Sequence, residues 1–465
     1  MNVYGIEVAI KNTPVLDKGF IPMAAFTSAF EASAKNGKDI AVAVERNQGQ
    51  VAVRRLKIHG TPAMDKADKV YVERTVKMLL WAYGGWKVVV CGDEALGRYI
   101  AEAYAPGGAR AFDADFMGRV YERDFTVEIR PLSETPEAYS ASAPVGRNLD
   151  GCRIGFDAGG SDRKVSAVVD GVPVYSEEVV WYPKTNSDPA YHYEGILSAF
   201  KSAASKMPRV DAIGVSSAGI YVDNRAMVAS LFLQVPRDEF DKQVKDIYIR
   251  AAKELGDVPL EVANDGDVTA LAGAMSLEEN RILGIAMGTS EAAGYVDGDG
   301  NITGWLNELA FAPVDLQEDA MEDAMEDEWS GDIGCGVKYF SQDSVIKLAP
   351  RAGIQLDASL SPAEKLKVVQ GEMNKGSETA RDIYRSIGVY LGHTLAYYAN
   401  FYDISHVLLL GRVMSGEGGD IVIAEARRVL DEEYPAAASM ELHLPDEKIR
   451  RVGQSVAAAS LPKTR

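Results

Sequence analysis

The sequence predicts an α/β protein with a small N-terminal domain followed by a larger remainder. Three observations carry that expectation. The chain has 465 residues, more than one hydrophobic core usually serves. Short apolar runs alternate with segments that are apolar at helical spacing, the pattern of strands followed by helices. Charge is also divided unevenly. Residues 1–150 hold 19 basic and 19 acidic residues, so the net charge of −19 belongs to the rest. A stretch rich in Pro, Ser and Ala from Leu132 to Asp150 marks the boundary. The expected division is an N-terminal α/β domain over 1–131, a linker over 132–150, and the larger part over 151–465.

Composition excludes several classes. Hydrophobic residues make up 47% and charged residues 25% of the chain, which describes a globular protein and not a disordered one. No apolar run approaches the ~20 residues of a membrane span. The opening MNVYGIEVAIKN lacks a basic segment followed by an apolar one, so no export and no membrane partner is expected. Cys91, Cys152 and Cys335 are scattered and odd in number, which fits neither a disulfide framework nor a four-ligand zinc site. A reducing, cytoplasmic setting follows. Neither part is basic in bulk, which argues against nucleic acid as a partner.

In the N-terminal part, Ile40–Val44 and Val51–Ile58 alternate apolar residues around ERNQGQ, a hairpin signal. Tyr71–Tyr83 is apolar at helical spacing and stops at Gly84-Gly85. A strand is expected at Trp86–Cys91 and a second helix at Asp93–Tyr104. His59 stands alone beside a turn, where a structural role is expected. No phosphate loop or metal cluster occurs here, and the role of residues 1–131 is not legible.

The larger part opens on RIGFDAGGSDRKVSAVVDG, from Arg153 to Gly171. An apolar run delivers Asp157 to its end, Ala158–Asp162 turns, and VSAVVDG returns as a strand. Gly159 and Gly160 let the backbone approach an anion, and Asp157 beside them suits a metal–phosphate partner. Turn chemistry alone is the other reading. A helix at Tyr193–Met207 and a strand at Val210–Ser216 follow, the strand running into Ser217-Ala218-Gly219. A strand ending in a small-residue loop is where α/β folds place ligand contacts. Val258–Ala263 is a strand ending on Asn264-Asp265-Gly266-Asp267, with a helix at Val268–Met275. Asp265 therefore sits at a strand-to-helix junction, where a carboxylate caps the helix or faces a pocket. Asp267 serves equally as a cap. Ile282–Met287 is a strand leading to Gly288-Thr289-Ser290, and Ala292–Val296 and Ile302–Leu306 are extended arms around DGDGN. Glu308 follows in NELAFAPVD. A helix at Ala380–Phe401, a strand at His406–Leu410, Gly411-Arg412 and a helix at Ile421–Leu430 complete the pattern.

Taken in order, DAGGSD, SSAG, VANDGDVTALAGA, GIAMGTSEAAGYVDGDG, NELAFAPVD and HVLLLGRVMSG resemble the ROK family of bacterial sugar kinases. The resemblance covers roughly 151–460. It implies a two-lobed actin-like ATPase (ribonuclease H-like) fold that binds a nucleotide in the cleft between lobes. It implies ATP and Mg2+ as cofactors and a sugar as the small-molecule substrate. Gly159, Gly160 and Ser161 and, from the opposite lobe, Gly288, Thr289 and Ser290 offer donors to the phosphates. Asp157 orients the magnesium, Asp265 accepts the proton of the attacking hydroxyl, and Asn264 and Glu308 match positions that bind sugar. Ser217 and Gly219, at the end of their strand, join the substrate residues, and Gly411 falls where the family contacts adenosine. A homodimer is expected by analogy only.

The departures set further expectations. The family's zinc cluster has a His where this chain has Phe311, and only Cys335 lies in the stretch that follows. No zinc is therefore expected. The acidic repeat at 318–328 reads as a solvated helix or insertion, with a divalent cation as the other possibility. Ser290-Glu291-Ala292-Ala293 replaces a glycine-rich continuation, with Glu291 adding negative charge near phosphates if it points inward. Arg412 stands beside Gly411 where a second glycine is usual. Two functions stay open: an ATP-dependent sugar kinase, and a catalytically inactive sugar-binding or regulatory protein on the same fold.

Overall fold

The structure is a computed structural model that describes residues 1–140, 145–317, 329–445 and 453–464. The acidic repeat at 318–328 lies outside the described residues. Helix α1 (Met23–Ser33) precedes a hairpin of β1 (Lys38–Glu45) and β2 (Val51–Ile58). Helix α2 (Asp65–Tyr83), β3 (Lys87–Cys91), α3 (Glu94–Ala103), α4 (Ala111–Tyr121) and β4 (Thr126–Arg130) follow. These strands form one sheet in the order β2-β1-β3-β4. β1 and β2 pair antiparallel, Ala43 opposite Val53 and Val44 opposite Ala52, and the middle of β1 is buried on both faces.

A second sheet is built from β5 (Cys152–Ala158), β6 (Asp162–Val169), β7 (Val172–Val180), β8 (Ala212–Ser217) and β9 (Leu260–Asn264), in the order β9-β8-β5-β6-β7. β9, β8 and β5 run parallel, while β5, β6 and β7 form a meander. β7 was not expected from sequence. Its VPVYSEEVV carries Pro173 and alternates weakly, which an edge strand tolerates. Helix α5 (Pro189–Ala204) starts where Asp188 accepts from the Ala190 N–H at 2.9 Å. Helix α6 (Asp265–Leu277) continues directly from β9.

A third sheet has the order β11-β10-β12-β13, with β10 (Ile282–Met287), β11 (Glu291–Val296), β12 (His406–Leu410) and β13 (Glu441–His443). The extended arm expected at Ile302–Leu306 reduces to a single bridge between Ile302 and Val296. Helices α7 (Gln342–Arg351), α8 (Pro362–Asn374), α9 (Glu378–Tyr398), α10 (Glu417–Glu433) and α11 (Gln454–Ala459) complete the chain.

The chain packs as two compact units. The first comprises Met1–Ala141, Ile285–Ala293 and Trp305–Leu444; the second comprises Ser142–Gly284, Gly294–Gly304 and Pro445–Arg465. The division at 141/142 falls inside the Pro/Ser/Ala-rich segment. The N-terminal residues share the first unit with residues 285–293 and 305–444, beyond the small apolar cluster of Ala41, Ala43, Val89 and Cys91 on their own sheet. Helix α2 shows why. It is buried nearly all round, from Tyr71 to Ala82, so it needs cover on more sides than its own four-stranded sheet supplies. Its Trp81 stacks on Phe311 at 4.2 Å between centroids. Farther upstream, buried Asp17 meets Lys347, Arg351 and Tyr390, and the Asn12 carbonyl meets His393 Nε2 at 2.9 Å.

In the second unit, Ile154, Phe156, Phe200, Ile213, Val215 and Val262 form the centre of the core. Helix α11 lies directly on β5 and β8. A side chain at Gly155 would meet the Ser455 carbonyl at 1.7 Å, and one at Gly214 the Ala458 carbonyl at 1.7 Å. Only glycine permits that approach.

Candidate functional site

Three neighbouring parallel strands of the second unit end side by side. In the register, Asp157 on β5 pairs with Ser216 on β8, and Ser217 pairs with Asn264 on β9. Ligands of open α/β sheets bind beyond these carboxyl ends. Ser216 Oγ donates to Asp157 Oδ1 at 2.9 Å. Gln454, the first residue of α11, donates through Nε2 to Ser216 Oγ at 3.0 Å and to the Asp265 carbonyl at 3.1 Å. Desolvation pushes the Asp157 carboxyl up to about 6, against the Ser216 hydrogen bond and with help from the charge of Asp265. Desolvation also raises the Asp265 carboxyl, opposed by the Gly266 N–H and by the Lys184 ammonium. Two carboxyl groups that hold protons more tightly than usual therefore share one place.

Helix α6 is capped by Asn264. Its Oδ1 accepts from Gly266 N at 2.7 Å, and its Nδ2 donates to the Gly219 carbonyl at 2.7 Å. Asp267 is buried and accepts from Tyr295 N at 3.0 Å. The cap does not fall to Asp265, whose Oδ1 accepts from the adjacent Gly266 N–H at 3.1 Å. Ser217 is fully buried, with its Oγ 2.8 Å from the Tyr248 hydroxyl and 2.6 Å from that of Tyr221.

The turn between β5 and β6 is held from outside. Trp181 donates through Nε1 to the Gly159 carbonyl at 2.7 Å and through its N–H to the Ser161 carbonyl at 3.1 Å. Lys184 lies across the same turn, because a side chain at Gly160 would meet its Cε at 2.8 Å. Its ammonium thus stands beside the Gly-Gly turn while acting on Asp265. Sequence reading missed both Lys184 and Gln454. WYPKTN has no spacing that marks the lysine, and Gln454 is some 190 residues from Asp265 in sequence. His192, in the first turn of α5, is fully buried with Nε2 3.2 Å from the Asn186 carbonyl.

In the first unit, Gly288, Thr289 and Ser290 connect β10 to β11, and Thr289 and Ser290 are exposed. The Gly288 carbonyl accepts from Gln342 N at 2.9 Å. Gly411 abuts this loop: its φ is +95°, and a side chain there would meet the Met287 carbonyl at 2.2 Å. Both features demand glycine. Arg412 is exposed, its carbonyl accepting from Gln370 Nε2 at 2.9 Å. Glu291 does point inward. It is buried, and neither carboxylate oxygen has a hydrogen-bond partner among the described residues. Burial, and then the Glu308 carboxylate, push its carboxyl up to about 8. At neutral pH it is mostly protonated, so it adds little negative charge to the loop. Glu308 is half-buried, and its N–H donates to the Trp81 carbonyl at 3.0 Å.

At the positions where the family resemblance places a zinc cluster, Phe311 packs among Trp81, Phe112 and Phe116. Asp332 lies near Cys335 and takes three cations from the N-terminal segment: Arg74 at 2.9 Å, Lys77 at 2.9 Å and Arg110 at 2.8 Å.

No family model matches the sequence, and no curated protein matches it. Solved structures do. A ROK hexokinase from Thermus thermophilus matches with a TM-score of 0.50 and 17% identity, over 66% of this chain and 97% of that one. A ROK family glucokinase from Streptomyces griseus, in complex with glucose and AMPPNP, matches at 0.45 and 19%, over 67% and 98%. A ROK family transcriptional regulator, described as a homolog of the E. coli MLC protein, matches at 0.49 and 18%, over 67% and 79%. The fold shared with the hexokinase is the ROK fold, of the actin-like ATPase type.

Proposed function

We propose that this ROK-fold chain is an ATP-dependent sugar kinase with Asp265 as its general base. One observation carries the reading: Asp265 and Asp157 lie together at the carboxyl ends of β9 and β5, the Asp265 charge raising the Asp157 carboxyl, with the Lys184 ammonium acting on Asp265. Phosphoryl transfer is mostly positioning and charge neutralisation, and these groups supply both. Asp265, free of cap duty, accepts the proton of a sugar hydroxyl. The raised affinity of its carboxyl for a proton brings it nearer the working pH, as suits a base. In the second unit, Asn264 holds a sugar hydroxyl beside the Gly219 backbone; Glu308 is the sugar contact that the family resemblance assigns to the first unit. Ser217 acts indirectly by fixing Tyr221 and Tyr248.

Phosphate oxygens are received by the Gly159-Gly160-Ser161 turn in the second unit, with Lys184 countering their charge. By itself, the first unit carries a phosphate-type loop, Gly288, Thr289 and Ser290, with backbone and hydroxyl donors, and Gly411 abuts that loop where the family resemblance places adenosine. Asp157 fits Mg2+, because a carboxylate crowded by a second one in a desolvated place is a donor a hard cation relieves. When bound, that ion neutralises charge on the nucleotide phosphates.

Purified protein incubated with Mg·ATP and a panel of sugars is expected to release ADP with at least one of them. Asp265→Asn should lower turnover by ~10²–10⁴-fold while leaving sugar affinity nearly intact. Turnover on no sugar, with no ATP binding by calorimetry, sinks the kinase reading. Sugar binding without turnover then points to the second reading, an inactive sugar-binding or regulatory protein. What favours that reading is Arg412, a bulky cation beside the glycine assigned to adenosine.

A further inference from the structure

Two of the five histidines meet on the edge of the third sheet, His406 on the strand that leads to Gly411 and His443 on the edge strand beside it. β13 is the edge strand and runs parallel to β12, with His406 opposite Glu441 and Leu408 opposite His443. Glu441 and His443 are two residues apart, so the pleat puts both on one face, and parallel pairing puts His406 on that face too. The side chains converge. His406 Nδ1 and His443 Nε2 are 3.1 Å apart, and Glu441 Oε2 lies 3.8 Å from the first and 3.9 Å from the second.

We propose that His406, Glu441 and His443 form a binding site for one divalent transition-metal ion, Zn2+ fitting best. A zinc ion holding imidazole nitrogen and carboxylate oxygen at ~2.0–2.2 Å in tetrahedral geometry sets its donor atoms about 3.3–3.5 Å apart. The three atoms are within about half an ångström of that arrangement. The group that must move most is Glu441, whose side chain is 66% exposed, whereas the imidazoles are 13% and 21% exposed and held in place. A hydrogen bond between the two rings explains their own approach. It gives no reason for a carboxylate nearly equidistant from both nitrogens, which a shared cation does.

The surroundings agree. An open groove lined by Ile423, Arg427 and residues 438–443 reaches Glu441 and His443, giving entry and room for solvent to fill the remaining coordination. Arg427, the cation in that groove, is directed elsewhere: it donates to the Ala438 and Met440 carbonyls and lies 3.5 Å from Asp431. Imidazole ligands select zinc, cobalt or nickel over magnesium and calcium, which prefer oxygen throughout. The site is therefore chemically separate from any Mg2+ that accompanies a nucleotide. Bound metal pins a three-residue edge strand to its neighbour, where backbone pairing alone is short.

The test uses the full-length, tag-free protein, stripped with chelator and titrated with ZnCl2 by calorimetry and with CoCl2 by visible absorption. One ion per chain is expected, with cobalt ligand-field bands and a higher melting temperature with zinc. Millimolar Mg2+ should not displace it. His406→Gln and His443→Gln should each weaken binding at least tenfold, and so should Glu441→Gln, a change at an exposed side chain that leaves packing untouched. Metal-free melting curves check that each variant is folded. Absence of zinc binding below millimolar concentration overturns the proposal. So does unchanged zinc affinity in Glu441→Gln together with a folded His406→Gln/His443→Gln double variant.

Discussion

Asp157 and Asp265 show how a residue's chemistry is set by what surrounds it. Each is an ordinary carboxylate in sequence. In the fold, desolvation pushes Asp157 up to about 6 and raises Asp265 as well. If both must be ionised to work, kcat/KM rises with pH through a limb near 6, higher than a solvent-exposed carboxylate gives. A pH profile locates that limb, and in Asp157→Asn it should shift along with a large loss of rate. Lys184→Ala, by removing the ammonium beside the turn, should reduce kcat/KM by ~10–100-fold without changing stability, since the side chain is exposed. Glu291 makes a stability prediction. Its carboxyl goes from an ordinary 4.5 to about 8 in the fold, so between those values the native state holds a proton that the unfolded chain releases. Stability accordingly falls as pH rises through that window. Glu291→Gln removes the penalty, and thermal melts should show it more stable than the parent by ~1–3 kcal/mol at pH 8, with little difference at pH 4.5. A less stable variant at pH 8 would mean the carboxylate has a partner the fold requires.

Among elements, α2 carries the most unexpected burden. Its sequence gives apolar residues at helical spacing, and sequence reading found it from Tyr71 onward. What spacing could not give is that Arg74 and Lys77 point into protein, not water. With Arg110 they meet Glu73, Asp113 and Asp332 in a buried set of three cations and three anions. Buried ion sets add little net stability as a whole, yet removing one member leaves the others uncompensated. Asp332→Asn should therefore cost ~3–5 kcal/mol, measured by denaturant unfolding. Burial works against the Asp332 carboxylate, but Arg74 and Lys77 win and hold it well below the usual carboxylate range. Its stabilising contribution is complete above the unfolded value of 3.8 and is lost as pH falls further. The variant's deficit should thus shrink in strong acid. β7 is the reverse case, an element hidden because an edge strand needs neither clean alternation nor a fully apolar face.

At the scale of the molecule, the N-terminal residues belong to a unit with residues 305–444. Asp17 against Lys347 and Tyr390, Asn12 against His393, and Trp81 against Phe311 are all ties between segments hundreds of residues apart. A chain lacking residues 1–131 should consequently expose the Phe311 surface and the Asp332 carboxylate. It is expected to be insoluble or to melt far below the parent, and residues 1–131 alone should show no cooperative melt. Independent folding of either piece, seen by circular dichroism and calorimetry, would contradict this account.

Local order was legible from the sequence because it is written in short range. Strand alternation, the Gly-Gly turn after Asp157, and the Asn-Asp junction at a strand end each lie within a few residues. Their succession was enough to expect the ROK fold. What only tertiary structure decided is long-range: Asn264, not Asp267, caps α6 while Asp267 binds Tyr295 N. Lys184 and Gln454 join the Asp157–Asp265 neighbourhood, and His406 meets Glu441 and His443 across a parallel pair. Each of those partners is chosen by packing of distant segments, which no local spacing encodes.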